Sequence, residues 1–162
     1  MSESTLTSPS ATTAFNDLAA LEAAVGSGPY LSPWITVTQE MIDEFAGVTG
    51  DPQWIHLDVE RAKRESPFGT TIAHGFLTLS LLSNMIGRTI SFPTAKMGVN
   101  YGFERVRFIS PVPSGAQIQA GFTLQEVKPA DIGVQIAWAV EVRVRDAAKP
   151  ALAAVWLSRI VL

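Results

Sequence analysis

Cysteine is absent from all 162 residues, which excludes disulfides, thiolate catalysis and cysteine-built metal sites and suits a reducing cytoplasm. Basic charge is scarce as well. Twelve Lys and Arg against 15 Asp and Glu leave a net charge of -3, which offers no attractive field to nucleic acid or an acidic membrane. Residues 1–13 carry no Lys or Arg and no apolar run, the two features of a secretory signal, and are expected to form a disordered tail. No apolar run is long enough to cross a bilayer. The longest candidate, residues 76–90, is interrupted by Thr78, Ser80, Ser83, Asn84 and Arg88 and reads as a core helix. A Gly-x-Ser-x-Gly elbow is missing too, so a serine-hydrolase triad has little support.

What is present fits one globular domain, expected over residues 14–162. A hydrophobic fraction of 47% with 17% charged leans apolar, which either a large core or burial against a partner subunit explains. Phe15, Leu18, Leu21 and Val25 predict a short amphipathic helix ending near Gly26, and residues 34–37 a short strand. Thr38 is a good N-cap for a helix carrying Met41, Ile42, Phe45 and Val48 and closed by Gly50. Asp58 is placed to cap a further short helix through Arg61 and Arg64. Residues 74–87 are apolar on nearly every face of a helix, which must then be surrounded, most simply by a curled sheet. Beyond Pro93, residues 96–101, 105–109, 117–127, 134–145 and 151–161 read as five strands, with clear alternation in Val140-Glu141-Val142-Arg143-Val144-Arg145. Helices followed by an antiparallel meander predict an α+β fold with a helix packed on one sheet.

Two segments carry chemistry. In Gly50-Asp51-Pro52-Gln53-Trp54-Ile55-His56, a carboxylate and an imidazole stand five residues apart. Five helical residues rotate by about 140°, and an odd spacing in a strand points to opposite faces, so convergence needs a bend. Asp51 as N-cap with Pro52 at the first helical position would supply one. Converged, His56 is a general base for a water that Asp51 also holds; otherwise Asp51 caps a turn and His56 fills a half-buried site. A metal site from Asp51, His56 and His74 matches no standard ligand spacing, and none is expected. In Ala73-His74-Gly75-Phe76, Gly75 falls near a helix start, where unpaired N–H groups face an approaching oxyanion; close packing of helix and sheet explains the glycine equally well. Ser83 lies about 12 Å further along the helix axis. It can line the same groove and hydrogen-bond Asp51, or simply face solvent.

Gly50-Asp51-(x4)-His56, followed by Ser66-Pro67-Phe68-Gly69-Thr70-Thr71-Ile72-Ala73-His74-Gly75-Phe76 and by Asn100-Tyr101-Gly102-Phe103-Glu104-Arg105-Val106-Arg107-Phe108-Ile109-Ser110-Pro111-Val112, resembles the MaoC-like, or (R)-specific enoyl-CoA hydratase, family. The variant Gln53-Trp54-Ile55-His56 looks most like its nodulation protein N branch. The resemblance runs from about Trp34 to the C-terminus. It implies a hot-dog fold, in which a long central helix is wrapped by an antiparallel sheet, and a homodimer. By resemblance Asp51 and His56 match the catalytic pair, Gly75 the oxyanion-hole amide and Ser83 a supporting polar residue. The implied substrates are acyl thioesters of coenzyme A or acyl carrier protein, with no cofactor.

One departure stands out: Gln53 and Trp54 replace the Asn and Pro usual in such hydratases, so Trp54 is expected to reshape the acyl pocket. Arg88, Lys96, Arg105 and Arg107 can face a phosphate-bearing carrier, but a solvated sheet edge explains each. Hydration or dehydration of enoyl and 3-hydroxyacyl thioesters is therefore the expected activity. A hot-dog thioesterase and a non-catalytic acyl-thioester-binding subunit are the alternatives.

Overall fold

The computed structural model describes residues 12–161. Its N-terminal half is mostly short helices. β1 (Thr13–Ala14) precedes α1 (Leu18–Ala23), β2 (Tyr30–Leu31) and β3 (Ile35–Thr36); α2 (Gln39–Thr49), α3 (Trp54–Leu57) and α4 (Val59–Glu65) follow. Local signals explain these boundaries. Thr38 accepts a hydrogen bond from Met41 N–H, Gly50 closes α2 in the left-handed conformation at φ 69°, and Asp58 accepts from Arg61 N–H. Most of the expected tail lies outside the described residues. Thr13 does not belong to it, because it pairs with Ile90 in a short parallel ladder.

The expected central helix comprises α5 (Gly75–Ser80) and α6 (Leu82–Gly87). Leu81, at the joint, keeps right-handed helical angles. Its N–H reaches the Leu77 carbonyl and Met85 N–H reaches its own, both at 3.0 Å, so the helical ladder crosses the joint. β4 (Ile90–Ser91), β5 (Met97–Phe108), β6 (Gln117–Pro129), β7 (Val134–Val144) and β8 (Pro150–Val161) complete the chain. The larger sheet has the order β2-β6-β7-β8-β5, with β3 also on β6, and every ladder in it is antiparallel.

Two of the five expected strands are one. Residues 96–101 and 105–109 merge into β5, because its register against β8 skips Tyr101 and Glu104. These are β-bulges, where one extra residue bends a strand without ending it.

Alternation then decides which faces are buried. Ile118, Ala120, Phe122 and Leu124 of β6, Ile136, Trp138, Val140 and Val142 of β7, and Leu152, Ala154 and Trp156 of β8 share a core with Leu77, Leu82 and Met85 of the helical layer. An antiparallel sheet wrapped over this helix is the hot-dog arrangement. The helix is nevertheless covered on one side only. Phe76 is 68% exposed, and Ser80, Ser83 and Asn84 are exposed as well, because a single sheet can bury only one stripe.

Candidate active site

Asp51 follows the left-handed Gly50, and its N–H donates to the Ala46 carbonyl at 3.2 Å. It is not the cap of the next helix. α3 begins at Trp54 behind Gln53, which makes no side-chain capping bond. Pro52 and Gln53 join Asp51 to α3 outside any helix or strand, and the Asp51 carboxylate stays uncommitted to capping and about half exposed.

The single turn of α3 returns His56 toward it. Three tertiary hydrogen bonds hold that turn: Gln39 Nε2–H donates to the His56 carbonyl at 2.7 Å, Ile72 N–H to the Ile55 carbonyl at 3.1 Å, and His56 Nδ1–H to the Ile72 carbonyl at 2.7 Å. The last bond fixes the tautomer, leaving Nε2 as the lone-pair nitrogen. Gln39 also accepts from the Thr71 hydroxyl, tying α2 to the segment before α5.

His74 completes the cluster. Its ring stacks on His56 with centroids 3.7 Å apart and planes 25° apart, while Phe45 lies 5.1 Å away. His74 Nε2 lies 3.1 Å from the Asp51 carbonyl oxygen and 3.9 Å from Oδ2 of the Asp51 carboxylate. One nitrogen or oxygen from each of Asp51, His56 and His74 lies within 4.8 Å of the others. The expected convergence of carboxylate and imidazole thus exists, and it includes a second imidazole weighed beforehand only as a metal ligand.

Such spacing would suit a metal, but the ring geometry does not. A ligand nitrogen must aim its in-plane lone pair at the ion from about 2.0–2.1 Å. Stacked rings with centroids 3.7 Å apart keep their lone pairs in two separate, nearly parallel planes rather than aiming them at one point.

Burial, the largest influence, pushes the His56 imidazole below the ordinary histidine value. The Ile72 hydrogen bond opposes it, the His74 ring adds to it, and the Asp51 charge opposes it. The folded state therefore binds fewer protons at this ring than the unfolded chain does. His56 leaves stability intact above its unfolded value near 6.5 and removes stability as pH falls from there through its lowered folded value. Between about pH 7.5 and about pH 5.5, thermal melts should show a larger loss for the wild type than for His56→Gln. Equal losses would refute this.

His56 and Gly75 line one cleft of about 260 Å³, together with Phe68, Thr78, Phe108 and Ser110. As the first residue of α5, Gly75 has no intrahelical acceptor for its N–H. Asp51 does not line this cleft; it reaches the cluster from the His74 side. Ser83 is exposed and makes no hydrogen bond to Asp51 among the described residues. Trp54, expected to reshape the acyl pocket, is not among the residues lining this cleft and stands under the Arg61 guanidinium at 4.2 Å. A larger groove of about 550 Å³ includes Arg105, Arg107 and Arg143. It lies on the outer face of the sheet, where Arg105 and Arg107 pair with Val155 and Ala153, and contains none of the three clustered groups.

The MaoC like domain, as a family model, matches residues 20–146. The chain belongs to the MaoC-like family. It is 45% identical over 141 residues to 3-hydroxyacyl-thioester dehydratase Z of Mycobacterium tuberculosis, covering 86% of this chain and 93% of that one. Nodulation protein N of Rhizobium meliloti is 45% identical over 143 residues, covering 87% and 89%. The solved R-hydratase PhaJ1 from Pseudomonas aeruginosa shares the fold at a TM-score of 0.70 over 85% of this chain and 81% of that one, at 24% identity. These MaoC-like relatives agree with the hot-dog arrangement and with the branch that the Gln53-Trp54 variant resembles.

Proposed function

We propose that this MaoC-like protein adds water to trans-2-enoyl thioesters, and removes it from (R)-3-hydroxyacyl thioesters, of coenzyme A or acyl carrier protein. The observation that carries this reading is the gathering of Asp51 and His56 within 4.8 Å, with the imidazole in the same cleft as Gly75. The dehydratase name of a relative 45% identical supports the reaction class.

The chemistry needs one proton taken from water and one delivered to the α-carbon. The lone pair on His56 Nε2 accepts the water proton as its oxygen bonds to the β-carbon. Electron density moves from the double bond onto the thioester oxygen, which accepts the Gly75 N–H. The imidazolium then gives up that proton, which the Asp51 carboxylate relays to the α-carbon, so that His56 and Asp51 return to their starting forms as the thioester oxygen gives back its charge. Both new bonds then form on one face of the double bond. Dehydration runs the same steps in reverse.

A depressed His56 value keeps the imidazole neutral near physiological pH. The acid limb of kcat/KM is expected below about 6.5, and a limb above it would contradict the assignment of His56 as base.

The uncovered side of the central helix supports a homodimer. Phe68, Phe76, Phe108 and Ile109, all at least 45% exposed, are an apolar surface around the cleft. Light scattering tests this directly.

Crotonyl-CoA tests the activity. Loss of the conjugated enoyl absorbance with the thioester intact, yielding the (R) alcohol, is the expected result. Free thiol release would replace hydration with thioester hydrolysis. No change across several chain lengths would leave an acyl-thioester-binding subunit.

A further inference from the structure

His74 is one of only two histidines in the chain. It is 3% exposed, and its Nδ1 is a buried polar atom with no hydrogen-bond partner among the described residues. Native interiors rarely leave such an atom unmet, so its retention asks for a reason. A hydrophobic ring would fill the space between Phe45 and His56 without that penalty.

The contacts made by the rest of the ring supply one. In the tautomer with Nε2–H, that group donates to the Asp51 carbonyl at 3.1 Å. Nδ1 is then a bare lone pair; a proton there would be a buried donor without an acceptor. The ring face lies 3.7 Å from the His56 ring. His56 is thus held along its edge by the Ile72 carbonyl and across its face by His74. Asp51 is held through its N–H by Ala46 and through its carbonyl by His74.

We propose that His74 is a positioning residue for the Asp51–His56 pair: its Nε2–H pins the Asp51 main chain, and its ring is the platform that orients the His56 imidazole. The inference rests on reading Asp51 and His56 as the groups that move protons. Nothing else in the cluster joins both. α2 presents the neutral Phe45 and Gln39, the segment before α5 presents the Ile72 carbonyl, and the cleft wall presents Phe108 and Ser110. Asp51 and His74 are the titratable groups that act on His56, and His74 is the one that disfavours its protonation.

Two variants separate the functions of the ring. His74→Phe keeps an aromatic face and loses the tether; His74→Gln keeps an N–H donor and loses the ring. With either substitution one imidazole remains, so proton NMR follows the His56 titration without ambiguity. In His74→Phe, the His56 midpoint is expected to move to higher pH, because a titratable neighbour is gone while the burial stays. Turnover of crotonyl-CoA should fall on the order of tenfold or more with KM nearly unchanged, since the cost is one of alignment. The acid limb of kcat/KM should follow the NMR midpoint, and His74→Gln should recover part of kcat.

An unchanged His56 titration in both folded variants overturns the proposal, whatever happens to turnover. If wild-type protein leaves crotonyl-CoA untouched, the hydratase reading fails, while the NMR midpoints still decide whether His74 governs His56.

Discussion

Asp51→Asn is expected to lower turnover on crotonyl-CoA by on the order of a hundredfold or more while leaving the fold intact. The reason lies in what the carboxylate touches. It caps no helix, it lies 3.9 Å from His74 Nε2, and it is about half exposed. Asparagine preserves its volume and leaves the main-chain bonds to Ala46 and His74 in place. What it removes is the negative charge and the capacity to carry a proton.

His56→Gln should show a comparable loss, because an amide cannot accept the water proton at neutral pH. It should be less benign structurally, since His56 is 7% exposed and its ring both stacks and donates to Ile72. Melting temperatures separate the two effects: a variant that melts like wild type and does not turn over has lost chemistry. Near-normal rates in either variant would remove that residue from the mechanism.

The parts of this site that were legible beforehand are those written in short stretches. Thr38 and Asp58 announce helix starts because a cap and the N–H that donates to it lie three residues apart. Gly50 announces a helix end because its left-handed backbone suits glycine. Asp51 and His56 were recognisable as residue types whose chemistry fits together, but the bend joining them was misplaced. Asp51-Pro52 has the local form of a helix start, yet α3 begins at Trp54. Bonds to Gln39 and Ile72, 17 and 16 residues from His56, fix that turn where local preference alone does not.

His74 was hidden for the same reason. It stands beside Gly75 in sequence, but its stack on His56 exists only because Ile72 and Ala73 are tied to Ile55 and Val112. β5 shows the opposite failure, since Gly102 and its neighbours look like a strand break and are bulges within one strand. Spacing along the helix allows Ser83 to face solvent, and it is exposed; only the resemblance gives it a supporting role.

Gly75 is the position where two explanations of one residue can be driven apart. A Cβ built there would lie 3.0–3.1 Å from three ring carbons of Phe108, tighter than ordinary contact. Phe108 is 49% exposed and can shift, so the fold should accept Gly75→Ala, helped by the better helix propensity of alanine. The methyl group, however, would stand beside the N–H assigned to the thioester oxygen, and the displaced ring would move within the wall of the cleft. Loss of kcat on the order of a hundredfold or more is expected, the scale of removing one oxyanion donor. Phe108→Ala combined with Gly75→Ala removes the crowding and keeps the methyl group. If Gly75 serves the oxyanion, the double variant stays as slow as Gly75→Ala. If it only makes room for Phe108, activity returns, and the charge on the thioester oxygen must be met by some other donor in the cleft.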